Sequence, residues 1–174
     1  MRKYKARISR LHSVFISHLH GDHIFGLPGL LSTLSLLGRT ADLNIYAHKE
    51  IDFLLNPLLT YLGKHMSFKI NIFPLNPNAG ELLYENKTIK VSSFPLKHRI
   101  DANGFLFEKK ESPRHIIREM IDFYHIPVRR IQEIKNGADY LTPEGALILN
   151  EHLTCPGNPA RIYAYCSDTA YAPE

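Results

Sequence analysis

The sequence lacks the features that would place it in a disulfide-built, membrane-spanning or repetitive class. It has only two cysteines, Cys155 and Cys166, with no CxxC spacing, so they read as buried or inert thiols, not as a disulfide or a zinc knuckle. No apolar run is long enough to cross a bilayer: the most apolar stretch, residues 24–37, is short and contains Gly26, Pro28 and Gly29. A secretory leader is not expected either, because the segment after the basic start is interrupted by His12, Ser13, Ser17 and His18. A cytoplasmic protein without a membrane partner is the expectation. Internal repeats, low-complexity tracts and obvious linkers are also missing.

What remains is a chain of 174 residues, enough for one domain with a hydrophobic core. Its 44% hydrophobic and 22% charged content is that of an ordinary globular protein. The net charge of +4 and pI near 9.0 are compatible with a polyanionic partner but do not require one. Arg2, Lys3, Lys5, Arg7 and Arg10 crowd the first ten residues, and on charge alone they read as a solvated chain end.

The apolar pattern alternates strands and helices. Strands are expected near residues 12–17, 43–47, 69–74, 88–95, 104–108, 146–149 and 161–166. A helix over residues 24–37 should stop at Gly38. A second should carry Ile51, Leu54, Leu55, Leu58, Leu59 and Leu62 on one side up to Gly63, kinked or split at Pro57. Ser112 and Pro113 predict an N-cap and first turn for a third helix bearing Ile116, Ile117, Met120, Ile121 and Tyr124, ended by Pro127. The mixture predicts an α/β or α+β layered domain.

The strongest chemical signal is His18, His20, Asp22 and His23, packed into six residues directly after an apolar strand. Side chains two apart on an extended chain point the same way, so His18 and His20 can share one metal. Gly21 would permit a turn that carries Asp22 and His23 to a second metal. Imidazole and carboxylate suit zinc and its first-row neighbours. A lone histidine is usually structural, but three with an aspartate at this spacing read as a metal site. Four ligands cannot complete two sites, so more are needed. His98 and Asp168 each follow an expected strand, where loops gather catalytic residues. His12, His48, His65, His115, His125 and His152 have no ligand-like neighbours and read as structural or exposed.

A strand ending in HxHxDH resembles the metallo-β-lactamase superfamily, which includes glyoxalases and β-lactamases. The longer string from Phe15 to Leu31, with Gly26, Leu27, Pro28, Gly29, Leu30 and Leu31 as its tail, resembles more specifically the ribonuclease Z family. Ile45-Tyr46-Ala47, Pro95-Leu96-Lys97-His98 with Asn103–Glu108, and Tyr163–Thr169 follow in that family's order. The resemblance implies an incomplete metallo-β-lactamase-like αβ/βα sandwich and a zinc-dependent, homodimeric endoribonuclease that removes the 3′ extension of precursor tRNA. It implies two zinc ions, the first held by His18, His20 and His98, the second by Asp22 and His23, with Asp168 bridging. Asp22 would also accept the proton of the attacking water. Residues 104–143 would form a tRNA-binding arm, with Arg129, Arg130, Lys135 and Gly137 as substrate contacts.

Two departures qualify the resemblance. The family's arm has a Gly-Pro-rich motif that Ile126–Ile131 lacks. The family also has segments before the first histidines and after the bridging aspartate, including a further histidine ligand of the second zinc. The chain is therefore expected to be an internal segment, with a complete first zinc site, a partial second one and impaired activity. Two other readings stay open at this stage: a hydrolase of the same superfamily acting on a small ester or phosphodiester, and a non-catalytic binding module.

Overall fold

The computed structural model describes residues 8–62 and 66–171. The expected roles of Arg2, Lys3, Lys5 and Arg7, of Gly63 as a helix stop, and of His65 fall outside these residues. The chain divides into two compact units: the first takes residues 1–85, 91–107 and 163–174, the second residues 86–90 and 108–162.

Strand β1 (Ser13–Phe15) leads through the histidine loop into α1 (Gly21–Ile24) and α2 (Gly26–Leu36), then β2 (Leu43–Ala47), α3 (Asp52–Leu62) and β3 (Ile70–Pro74). The strands pair in parallel, in the order β1-β2-β3, with Val14 opposite Ile45 and Ile45 opposite Ile72. Parallel strands need crossover connections, and α2 and α3 supply them. Their apolar sides, with Ile51 from the turn before α3, bury Leu27, Leu31, Leu34 and Leu55 against Ile16, Leu43, Ile45 and Ala47 of the sheet segment. Full burial of each such side chain contributes about 1.5–3 kcal/mol.

Gly38 ends α2 as expected, and the geometry shows why glycine stands there. Its φ of 73° is left-handed, and the Gly38 N–H donates to the Ser35 carbonyl while the Arg39 N–H reaches back to that of Leu34. Pro57, in contrast, does not split α3, which runs unbroken through it. Proline removes the N–H that would pair with the Phe53 carbonyl, but Phe53 and Pro57 both lie on the solvent side, where water can replace that donor.

The other face of β1 and β2 meets a second sheet. Strands β4 (Glu81–Glu85), β5 (Ile89–Pro95), β6 (Asn103–Lys109) and β11 (Arg161–Tyr165) lie in the order β11-β6-β5-β4. Between the sheets, Phe15 stacks on Tyr46 at 4.8 Å, Tyr46 on Phe73 at 5.0 Å, and Phe105 packs against Phe15 at 5.4 Å. Helices thus cover one face of the parallel sheet and an aromatic layer joins its other face to the second sheet. Strand β4 had no sequence expectation.

The second unit contains β7 (His115–Ile116), α4 (Arg118–Phe123), α5 (Val128–Lys135), β8 (Tyr140–Leu141), β9 (Leu147–Ile148), α6 (Asn150–Leu153) and β10 (Thr154–Cys155). Here the expected helix start is wrong. Ser112 does not cap a helix: its hydroxyl accepts the Asn158 N–H at 2.8 Å and its own N–H donates to the Asn158 carbonyl at 3.0 Å. Residues 115–116 are then drawn into an antiparallel pair with β10, and the helix begins only at Arg118. Tertiary hydrogen bonding overrides a local cap signal. The polar stretch after Pro127, given no element from sequence, is helix α5, whose Ile131 and Ile134 join Ile126, Tyr140 and Leu153 in a small core. The Thr142–Gly145 turn links β8 and β9. Cys155 and Cys166 are both free, and both are exposed rather than buried.

Candidate metal centre

The first unit brings four of the sequence-selected residues together. His18, His20, His98 and Asp168 each offer one ligand atom, and these atoms all lie within 4.8 Å of one another. Among the described residues this is the one cluster of its kind.

Each side chain arrives from a strand end. His18 follows β1 and is fully buried; the Asn103 N–H at the start of β6 donates to the Ser17 carbonyl at 2.9 Å and fixes this edge. His20 is still extended, with φ −66° and ψ 149°, and the next residue opens α1. His98 follows β5, and Asp168 follows β11. The Ala170 N–H donates to the Lys97 carbonyl at 2.7 Å, tying the aspartate loop to the residue before His98.

Gly21 matters for a different reason than the expected turn. Its φ is not left-handed; it simply begins α1. A Cβ there would come within 2.9 Å of Phe25 Cζ, because the Phe25 ring lies against it. A larger residue would require that exposed ring to swing aside.

The spacing fits a metal ion. Tetrahedral donors at about 2.0–2.1 Å from zinc stand roughly 3.3–3.4 Å apart. His98 Nε2 is 3.3 Å from His20 Nδ1, and His18 Nε2 is 3.8 Å from Asp168 Oδ2. His18 supplies the sharpest observation. Its Nε2 is buried and has no hydrogen-bond partner, while Nδ1 lies 3.1 Å from Ser17 Oγ. With Ser17 accepting the Nδ1 proton, Nε2 presents a bare lone pair to the other ligands. Burial, then the neighbouring His23, His20 and His98, hold the His18 pKa below its ordinary 6.5 against the opposing pull of Asp168. A neutral imidazole is the form that binds metal. An unpartnered buried nitrogen costs about 1–3 kcal/mol, which a metal ion would offset.

His23 and Asp22 extend the cluster. His23 Nε2 lies 3.7 Å from Asp168 Oδ2 and 3.5 Å from Asp22 Oδ2, and the rings of His18 and His23 stand 4.1 Å apart. Asp168 is thus close to both His18 and His23. Asp22 is largely exposed. Beside it a cavity of about 240 Å³ is walled in part by Asp22, His23, Leu30 and Tyr165.

The remaining candidates lie in the second unit, on α5 and just after it. Arg129 is exposed. Arg130 forms an ion pair with Glu133 at 2.7 Å. Lys135 closes the helix, and Gly137, with φ 105°, terminates it by donating to the Ile134 carbonyl. Gly137 therefore has a structural reason to be glycine. Of the histidines read as structural or exposed, His12, His115, His125 and His152 are exposed, whereas His48 is buried with its Nε2 unpartnered.

Sequence comparison extends the resemblance over the whole chain. Ribonuclease Z of Bacteroides thetaiotaomicron is 51% identical over 174 residues, all of this chain and 55% of that protein. Ribonuclease Z of Porphyromonas gingivalis is 46% identical over 172 residues, 99% of this chain and 57% of that protein. The chain thus spans about half the length of the curated relatives it matches. No family model matches it. Among solved structures, human tRNase Z, short form, is 29% identical, with a TM-score of 0.56 over 63% of this chain and 48% of that one. The expected mixed α/β class holds, and the fold is like that of human tRNase Z.

Proposed function

We propose that this chain is the metal-binding half of an endoribonuclease that removes the 3′ extension of precursor tRNA by phosphodiester hydrolysis. The observation that carries the reading is the buried, unpartnered Nε2 of His18 facing His20, His98 and Asp168, in a chain half identical to ribonuclease Z. We assign zinc as the ion. His18, His20, His98 and Asp168 would hold one, and Asp22 and His23, with Asp168 bridging, would contribute to a second. Zinc supplies a Lewis acid that neutralises charge developing on the phosphoryl group.

The chain's own residues do the rest. Asp22, exposed beside His23, is free to orient a water and take its proton. Ser17 holds the His18 ring in one tautomer, and the Lys97–Ala170 hydrogen bond keeps Asp168 beside the histidines. Residues 104–143 would act as the tRNA-binding arm, with Arg129, Arg130 and Lys135 attracting backbone phosphates in a salt-sensitive way. Its lack of the family's Gly-Pro motif means that this contact takes an altered form. A cytoplasmic homodimer completes the reading, and among the described residues no helix is long and apolar enough to cross a membrane.

The test is Asp22→Ala in the protein at its natural length. Loss of a general base should slow cleavage of a 3′-extended tRNA by at least ~100-fold. Folding should be unchanged, because the Asp22 side chain is 78% exposed. Cleavage at the wild-type rate would exclude the role given to Asp22. Preference for a small phosphodiester over tRNA would move the assignment to a small-molecule hydrolase.

A further inference from the structure

Among the described residues, His48 is the one buried histidine outside the candidate metal cluster. It follows β2, is 3% exposed, and its Nε2 has no hydrogen-bond partner. It lines a cavity of about 280 Å³ whose other walls are Leu19, Glu50, Ile100 and Asp101, all in the first unit. That volume lies just below the ~300–1,000 Å³ range of drug-sized ligand sites, a size for one small planar group.

The cavity is built from the metal-binding segments themselves. Leu19 sits between His18 and His20, its Cα about 3.8 Å from each of theirs. Ile100 and Asp101 follow His98 by two and three residues. The cavity thus adjoins, in sequence, the segments that carry three of the candidate ligands.

The lining chemistry narrows the occupant. Leu19 and Ile100 give apolar walls, with Ile100 38% exposed at the mouth. Glu50 and Asp101 are exposed carboxylates, which only accept hydrogen bonds and repel phosphate. A metal ion is disfavoured, because His48, Glu50 and Asp101 do not converge as the His18 cluster does. A flat ring with N–H donors on its edge fits: it would lie between apolar walls, give amino protons to the carboxylates and pair with the imidazole. Carboxylates read the amino group of cytosine in this way.

We propose that this cavity receives one unpaired nucleobase of the RNA substrate, and that it selects bases carrying an exocyclic amino group over uracil. His48 pairs with the ring edge, and Glu50 and Asp101 accept from the amino group. The proposal rests on the RNA-cleaving reading above, yet it can fail independently of it.

The experiment uses the protein at its natural length, with free nucleosides as probes. Cytidine and adenosine should bind about tenfold more tightly than uridine and purine riboside, the worth of one well-made hydrogen bond, and should shift the His48 imidazole resonances. Glu50→Leu with Asp101→Leu should bring cytidine to the level of uridine, whereas His48→Phe should weaken both and His48→Gln should retain binding and preference. With RNA substrates varied at each nucleotide near the cut, Glu50→Leu with Asp101→Leu should raise KM about tenfold for an amino-bearing base at one position and far less when that base is uracil. Equal binding of cytidine and uridine by the unaltered protein, or cytidine binding that leaves the His48 resonances in place, overturns the proposal even where His48→Phe does not fold. Absence of RNA cleavage with nucleoside selectivity intact would instead sink the proposed function and leave the nucleobase site standing.

Discussion

Replacing Ser17 with alanine and His18 with leucine together should stabilise the metal-free protein and abolish its response to zinc. In the absence of metal, His18 holds an unpartnered Nε2 in a fully buried position. Leaving such a group unsatisfied costs about 1–3 kcal/mol. The Ser17 Oγ–His18 Nδ1 hydrogen bond at 3.1 Å is lost in the variant, a debit of about 0.5–1.5 kcal/mol, but both of its polar partners leave at once, so neither is orphaned. Leucine is close to histidine in size, so no large cavity opens. The net gain should be about 1 kcal/mol in chelator. Zinc at 100 times its dissociation constant should then add about 2.7 kcal/mol to the wild type and little to the variant. Urea unfolding with chelator and with zinc should therefore rank the two proteins in opposite orders. A variant less stable by the same margin in both conditions would refute the reasoning, because His18 would then be an ordinary packed histidine.

Three further outcomes follow from the same coordinates. Burial and the neighbouring histidines lower the His18 pKa, so below pH 6.5 the unfolded chain takes up a proton that the folded one refuses. Metal-free stability should be full above pH 6.5 and fall as pH drops from there through the folded pKa, and urea titrations at several pH values should find this slope missing in the His18→Leu variant. Gly157→Ala should destabilise the second unit by about 2 kcal/mol or more, since a Cβ there would strike the Ser112 backbone carbonyl, which cannot swing aside as a side chain can; hydrogen exchange of α5 amides would report the loss. Arg129→Ala should weaken tRNA binding uniformly and lower the slope of log affinity against log salt by about 1, measured by filter binding at several salt concentrations.

Much of the metal centre was legible because its signals are local. His18, His20, Asp22 and His23 sit within six residues after an apolar strand, and two-residue alternation alone aligns the first pair. His98 and Asp168 were found by their position after strands, but nothing local says that the Asp168 loop is pinned to Lys97. The same limit explains the errors. Ser112 carries a good cap signal, yet Asn158, far along the chain, takes its hydrogen bonds. Gly21 looked like a turn glycine because its contact with the Phe25 ring cannot be read from spacing. His48 looked like one more structural histidine, and only the fold reveals an unpartnered nitrogen beside a cavity. Helix α5 was missed because its apolar side, centred on Ile131 and Ile134, is narrow in an otherwise charged segment.

The central claim is that His18, His20, His98 and Asp168 hold the metal on which RNA cleavage depends. It is tested most directly by measuring zinc content and cleavage of a 3′-extended tRNA side by side, in the natural-length protein and in its His98→Ala variant. The account predicts that the variant loses zinc and cleavage together, and that stripping zinc from the unaltered protein abolishes cleavage until zinc is returned. Full cleavage by His98→Ala, or cleavage that persists after zinc has been removed, would contradict it.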